Sequence, residues 1–331
     1  MGCNVNFSDI IGQNEVVNSL KTLLKDDCTR HAYIFAGPEG IGKRLVAKTF
    51  AAALLCGERN SFDSCEKCQS CLLFKSGTNP DFFVLVSEGR SIGVDEIRRM
   101  QQDVSIRPMY SAKKVYLIEE ADKMTVQAQN CLLKTLEEPP GYAVIILTTK
   151  NSNSLLETIK SRSILYNFRK NTNEEVKTCV QQINVDNVSG IDFIVSYADG
   201  VPGKAIELIE SEDFRSNRDK TIEVVLKLKK SKLMDVFETY GFFEENKENI
   251  DSILDIMLLF YRDLLIAKKT GNENMLINSD KKDIIIRNID EFRIDELIKN
   301  IDVIEQARKN IKQNANYQLV IEVMLMKIQE E

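Results

Sequence analysis

The chain has 331 residues, with 44 Lys and Arg against 50 Asp and Glu, for a net charge of −6. Hydrophobic residues make up 43% and charged residues 28%, the balance of a soluble globular chain of roughly two or three domains. That acidic balance excludes a stand-alone nucleic-acid binder with a dominant basic face; DNA could be touched locally, with partners supplying most of the field.

No apolar N-terminal core of a signal peptide is present. The start MGCNVN has Asn6 where a myristoylation site needs Ser or Thr. Apolar runs such as AVIIL at 143–147 are core-sized, too short to cross a bilayer. A cytoplasmic location is the default expectation, with no membrane partner. The one histidine, His31, rules out any site built on two and makes Ser/His/Asp chemistry improbable. It precedes an apolar strand, and a structural role is expected.

The first 168 residues alternate short apolar runs with amphipathic stretches. Strands are predicted at 32–36 (AYIFA), 81–86 (DFFVLV), 114–120 (KVYLIEE), 143–149 (AVIILTT) and 164–168 (ILYNF). Helical patterns fall between them at 43–57, 94–104, 125–137 and 153–160. Runs apolar on both faces with helices between them predict an α/β fold, a parallel sheet covered on both sides. Pro139, Pro140 and Gly141 stop the third of these helices. Beyond residue 168 the strand signals fade. Residues 172–211 read as short helices broken at Gly200 and Pro202-Gly203, and the chain is helical from 214 on. Ile250, Ile253, Leu254, Met257, Leu258, Tyr261, Leu264 and Leu265 form one apolar face. The last helix, 315–328, has another from Leu319, Val323 and Met326. Either stripe fits packing inside a bundle or a subunit interface.

Between the first strand and the first of these helical stretches lies GPEGIGKR, residues 37–44. Gly37, Gly42 and Lys43 match a P-loop, with Gly40 inside it; strand, turn and helix are the context that motif requires. Backbone N–H groups of such a turn bind phosphate. The next position, a Ser or Thr that holds Mg²⁺ in working P-loops, is Arg44, which has donors and no acceptor. The strand VYLI ends in Glu119-Glu120-Ala121-Asp122, as P-loop proteins present a metal carboxylate and a water-activating one. The first acid is usually Asp, and Glu119 displaces it by a methylene. Glu120 has the right type for a general base.

Cys56, Cys65, Cys68 and Cys71 are spaced C-x₈-C-x₂-C-x₂-C. Two-residue spacings present paired thiolates to one tetrahedral ion, so a closed structural Zn²⁺ site is expected rather than disulfides. Cys3, Cys28, Cys131 and Cys179 read as apolar fillers or exposed thiols.

Together these segments resemble the AAA+ clamp-loader family, most closely its bacterial DNA polymerase III δ′ branch. The stretches that carry the resemblance are FSDIIGQNEVV (7–17), HAYIFAGPEGIGK (31–43), the four-cysteine insert, NCLLKTLEEPP (130–140), Ser161-Arg162-Ser163 for the family's SRC motif, and NANYQLVIEVMLMKI (314–328). The match spans nearly the whole chain and is weak over 212–300. It implies an AAA+ domain with a zinc module (1–168), a helical lid (169–211) and a helical collar (212–331). It implies a subunit of the DNA polymerase III holoenzyme with no polymerase site of its own, joined with τ/γ ATPase subunits and a δ subunit in a pentameric ring that loads a sliding clamp on primed DNA. Arg162 would be an arginine finger acting in trans on a neighbour's nucleotide. Helix 94–104 carries Arg98 and Arg99, in a place where the family lines its DNA chamber; a solvated face paired with Asp95 and Glu96 is the plainer alternative.

The departures are Arg44, Glu119, and Gly203 where the family has a lid arginine, with Lys204 beside it. Three losses at one site predict weak or absent ATP hydrolysis and put ATP and Mg²⁺ binding in doubt. Lys150 is unusual at the polar sensing position and has no assigned role. An active τ/γ-type ATPase is the alternative reading; a zinc-stabilised interaction protein outside replication is the second.

Overall fold

The computed structural model describes residues 6–59, 61–87, 89, 91–183, 190–230 and 236–330. Cys3 and the start of the chain lie outside them, as do 184–189 within the expected lid and 231–235 within the expected collar. The chain divides into two compact units, Met1–Asn184 with Asp199–Lys204, and Val185–Ala198 with Ala205–Glu331.

The first unit is built on five parallel strands, β1 (Ala32–Ala36), β2 (Phe82–Leu85), β3 (Lys114–Ile118), β4 (Ala143–Thr149) and β5 (Ile164–Asn167), in the order β2-β3-β4-β1-β5. The expected parallel α/β architecture is borne out. Its side chains alternate with period two. Tyr33, Phe35, Leu117 and Ile146 pack on one face with α1 (Asn14–Lys25) and α2 (Lys43–Leu55). Ile34, Tyr116, Ile145 and Leu147 pack on the other with α4 (Val94–Val104) and α5 (Val126–Glu137). Central strands buried on both faces are why β1, β3 and β4 read as continuous apolar runs. His31 precedes β1, at the end of the strand away from the P-loop, and its backbone carbonyl accepts from Ile145 N–H at 2.8 Å.

Two helices were not anticipated. In α1, Val16, Val17, Leu20 and Leu24 are buried at helical spacing. The other, α3 (Gln69–Ser76), begins inside the cysteine cluster and is capped by Gly77 in the left-handed conformation (φ 73°). The helix expected at 153–160 shrinks to a 3₁₀ turn (Ser152–Ser154) and one turn of α6 (Glu157–Lys160). Between them Leu156 N–H donates to Gln129 Oε1, which breaks the helical ladder there. Next come α7 (Asn173–Gln181), closed at its start by a Thr172/Glu175 capping box, α8 (Ile191–Tyr197) and α9 (Pro202–Glu210).

The second unit is helical among its described residues: it takes α8 and α9 from Ala205 on, then α10 (Glu212–Lys230), α11 (Val236–Glu245), α12 (Ile250–Thr270), α13 (Lys282–Asn288), α14 (Ile294–Lys312) and α15 (Tyr317–Gln329). In α12 the predicted face is buried at Ile250, Ile253, Leu254, Met257, Tyr261 and Leu264, with Leu258 and Leu265 half-buried. The same helix buries Asp263, which accepts from the N–H of Ile277 at 3.1 Å and from the N–H and side-chain amide of Asn278 at 2.7 and 2.8 Å. The α15 face picked out by Leu319 and Val323 is the exposed one; Ile321, Met324, Leu325 and Ile328 fill the core instead. No helix among the described residues is long and apolar enough to cross a membrane.

Candidate functional site

The carboxyl ends of β1, β3 and β4 open into one cavity of about 720 Å³. Its lining includes Gly40, Gly42, Lys43, Arg44, Lys48, Glu119, Glu120, Asp122 and Lys150. Ligands of open parallel sheets sit at this end of the strands. The sheet therefore brings the predicted P-loop residues and both predicted acids together.

Inside the cavity the charges are already matched. Arg44 Nε lies 2.7 Å from Glu119 Oε1. The contact is an ion pair whose N–H is poorly aligned, so that oxygen still lacks a well-directed donor. Glu119 is almost buried (8% exposed) and Arg44 mostly exposed (61%). Burial pushes the Glu119 carboxyl above its ordinary range, and the Arg44 charge pulls partly the other way. Lys43 turns back on the loop, donating to the carbonyls of Gly37 and Pro38 at 2.6 and 2.7 Å, and burial lowers its pKa. Lys123 holds Glu120 at 2.6 Å, and Glu120 is a left-handed residue (φ 50°) at the strand end.

Lys150, to which the sequence assigned nothing, spans the mouth of the loop to Glu39 at 2.6 Å and holds that carboxyl below its usual range. Asp122 accepts from Thr149 Oγ1 at 2.9 Å and from Lys150 N–H at 3.0 Å, which fixes the end of β4. Lys150 and Glu39 lie far apart in the sequence, and no local pattern marks them as a pair.

Gly203, at the expected lid-arginine position, donates its N–H to Gly40 O at 2.9 Å. A Cβ there would stand 2.7 Å from Gly40 Cα and 2.8 Å from its oxygen. This backbone approach has no room for an arginine.

Cys56, Cys65, Cys68 and Cys71 present four sulfurs within 4.8 Å of one another. The Cys56–Cys68 and Cys65–Cys71 separations are 4.0 Å each, far too long for disulfides. Four ligands about 2.3 Å from a tetrahedral ion would stand about 3.8 Å apart, so the cluster fits a metal of that class. Cys56 and Cys65 sulfurs accept from the N–H groups of Cys65 and Cys68, both at 3.3 Å, as thiolate ligands do. The cluster is tied to the N-terminal segment by Asp63, which accepts from Phe7 N–H at 2.9 Å.

Arg162 follows α6, outside the cavity lining, and is partly exposed. Nη1 donates to Thr158 O at 3.1 Å and Ser161 Oγ at 3.4 Å, while Nη2 pairs with Glu137 Oε1 at 2.9 Å. On α4, Arg98 and Arg99 are exposed, Arg98 paired loosely with Asp95 at 3.5 Å; Ile97, Met100 and Val104 anchor the helix beneath.

Residues 12–172 match the family model described as DNA polymerase III, delta subunit, and residues 212–330 match the model for the C-terminal part of that subunit. The delta′ subunit of DNA polymerase III from Bacillus subtilis is 30% identical over 96% of this chain and 96% of its own length. The chain belongs to the DNA polymerase III delta′ clamp-loader family. The delta′ subunit of Pseudomonas aeruginosa is 43% identical over 136 residues, 40% of this chain and 42% of that protein. The tau subunit of Bacillus subtilis is 28% identical over 97% of this chain, which spans 61% of tau's length. Among solved structures, a Thermotoga maritima DNA polymerase III gamma subunit-related protein aligns over 94% of this chain and 98% of that chain, with a TM-score of 0.47 and 20% identity. The P-loop of this delta′ family member stands on a five-stranded parallel sheet in the order β2-β3-β4-β1-β5.

Proposed function

We propose that this chain is a nucleotide-silent member of a clamp-loader ring, which lends Arg162 to the ATP site of a neighbouring subunit. The observation that carries the first half is the Arg44–Glu119 pair at 2.7 Å. In working P-loop sites these two positions supply a hydroxyl and a carboxylate to Mg²⁺. Here they neutralise each other, and a cation brought between them would meet a guanidinium. The residues do not fit Mg·ATP, and no hydrolytic step is assigned to this cavity. Lys43 bound to its own loop and Gly203 packed on Gly40 support the same reading.

The partners follow from the family: ATPase subunits of the tau/gamma kind and a delta subunit in a pentameric ring that places a sliding clamp on primed DNA. Two exposed features support assembly. One is Arg162. The other is an uncovered groove of about 800 Å³ between α14 and α15, with Ile298, Leu319 and Val323 in its walls. An apolar helix face left open this way suits packing against another helical collar. Arg98 and Arg99 on α4 would meet DNA phosphates inside such a ring. The four thiolates would hold a structural Zn²⁺ and fasten the insert to the domain. Chelation is expected to release zinc and loosen that insert, read by a colorimetric zinc assay and limited proteolysis; metal-free protein from an anaerobic preparation would refute the site.

The decisive test is Arg162→Ala in a complex reconstituted with ATPase subunits, clamp and primed DNA. DNA-dependent ATP turnover and clamp loading should fall while the complex stays assembled. Unchanged turnover would remove the finger assignment.

A further inference from the structure

The partner of Arg162 is Glu137, the first acid of the LEEPP stretch that ends α5. Both ends of this pair stand on a fixed frame. Gln129 of α5 is buried and donates to Ser154 O at 3.1 Å, while its Oε1 accepts from Leu156 N–H at 2.8 Å. Leu136, Leu155 and Ile159 are buried in the core beneath the two helices. The spacing between the end of α5 and Arg162 is therefore set before any neighbour arrives.

The contacts also divide the guanidinium. Thr158 O and Ser161 Oγ engage Nη1, and Glu137 engages Nη2. A guanidinium has five N–H donors; Thr158 O and Ser161 Oγ take two of them, and the Glu137 contact is an ion pair without a well-directed N–H, so three are left for an outside group. Two donors on one planar head form a fork suited to phosphate oxygens. The pair is exposed, Arg162 at 36% and Glu137 at 50%, so a charged polyphosphate can compete with it. An exposed pair of this kind restricts the rotamer without sequestering the charge.

We infer that Glu137 is a positioning residue, which presents the Arg162 guanidinium to the γ-phosphate of a nucleotide held by the adjacent subunit. The inference rests on the reading of Arg162 as a finger in trans, and the experiment separates the two. The full chain, as wild type, E137A, E137Q, R162A and E137A/R162A, is reconstituted with its ATPase partners and assayed for DNA-dependent ATP turnover. E137A should lower kcat about two- to five-fold, the range of an exposed ion pair, with the KM for ATP unchanged. E137Q keeps an acceptor oxygen and should recover part of that loss. In the R162A background E137A should add nothing, because it acts only through the arginine. Turnover of E137A equal to or above wild type, with R162A impaired, would overturn the positioning role and leave the finger standing. So would losses that multiply in the double variant. An unimpaired R162A would overturn the finger and, with it, the inference.

Discussion

In the P-loop cavity an arginine is turned onto the nearly buried Glu119, its neighbour Lys43 is bound to the loop's own carbonyls, and a second lysine is tied to Glu39. At the α6 edge Arg162 is held by Thr158, Ser161 and Glu137 and still faces solvent with donors to spare. Both regions use exposed guanidiniums beside carboxylates. In the first the pair joins the two positions that hold the metal in working P-loop sites, which is the ground for proposing a silent cavity. In the second the pair lies beside a free edge, and the charge stays available. The sign of a residue therefore says little about its use; what its carboxylate partner does to the surrounding space decides.

That contrast breaks most directly at Arg162. Its replacement by Ala should slow hydrolysis at the neighbour's site by about 10³-fold or more, as for other arginine fingers, and cost the whole complex that site's share of turnover. In the same assay Arg44→Ala should leave turnover unchanged. Equal losses from both variants would mean that the cavity takes part in hydrolysis after all.

Arg44→Ala should register in stability instead, because it strands the Glu119 carboxylate. Solvent around the exposed arginine keeps the effect small, about 1 kcal/mol, or a fall in Tm of about 2–4 °C by thermal melting. A smaller effect is expected from Glu119→Gln, and it should depend on pH. The Glu119 pKa is raised in the folded chain, so the stability tied to its protonated form is complete below the ordinary carboxylate range and is lost as pH rises through the folded value. The Tm of the Gln variant relative to wild type should climb with pH across that window; a flat difference would mean that Arg44 fully offsets the burial. Lys150→Ala removes an exposed pair with Glu39 and should cost under about 1 kcal/mol by the same melt. A large loss there would show that the lysine holds the loop shut rather than merely spanning it.

By itself the sequence determined the elements whose signal is local. Strands β1 and β4 fall on the predicted residues because each is a continuous apolar run, buried on both faces. Helix α4 likewise begins and ends where its pattern does. The P-loop and the cysteine spacing were legible for the same reason, since a turn and a pair of thiolates are each written in a few neighbouring residues. Helices α1 and α3 were missed, one inside a segment read for its family likeness and the other inside the cysteine insert. The stripe on α15 was seen, but not that its Leu319 and Val323 stay exposed. Tertiary structure alone decided the pairings: Arg44 with Glu119, Glu39 with Lys150, Gly40 with Gly203, and Glu137 with Arg162. Each joins residues brought close by a strand crossover or a returning loop, and Coulomb attraction depends on distance in space, on which separation along the chain is silent. The sequence showed that Arg44 and Glu119 were both out of place; only the fold showed that each accounts for the other.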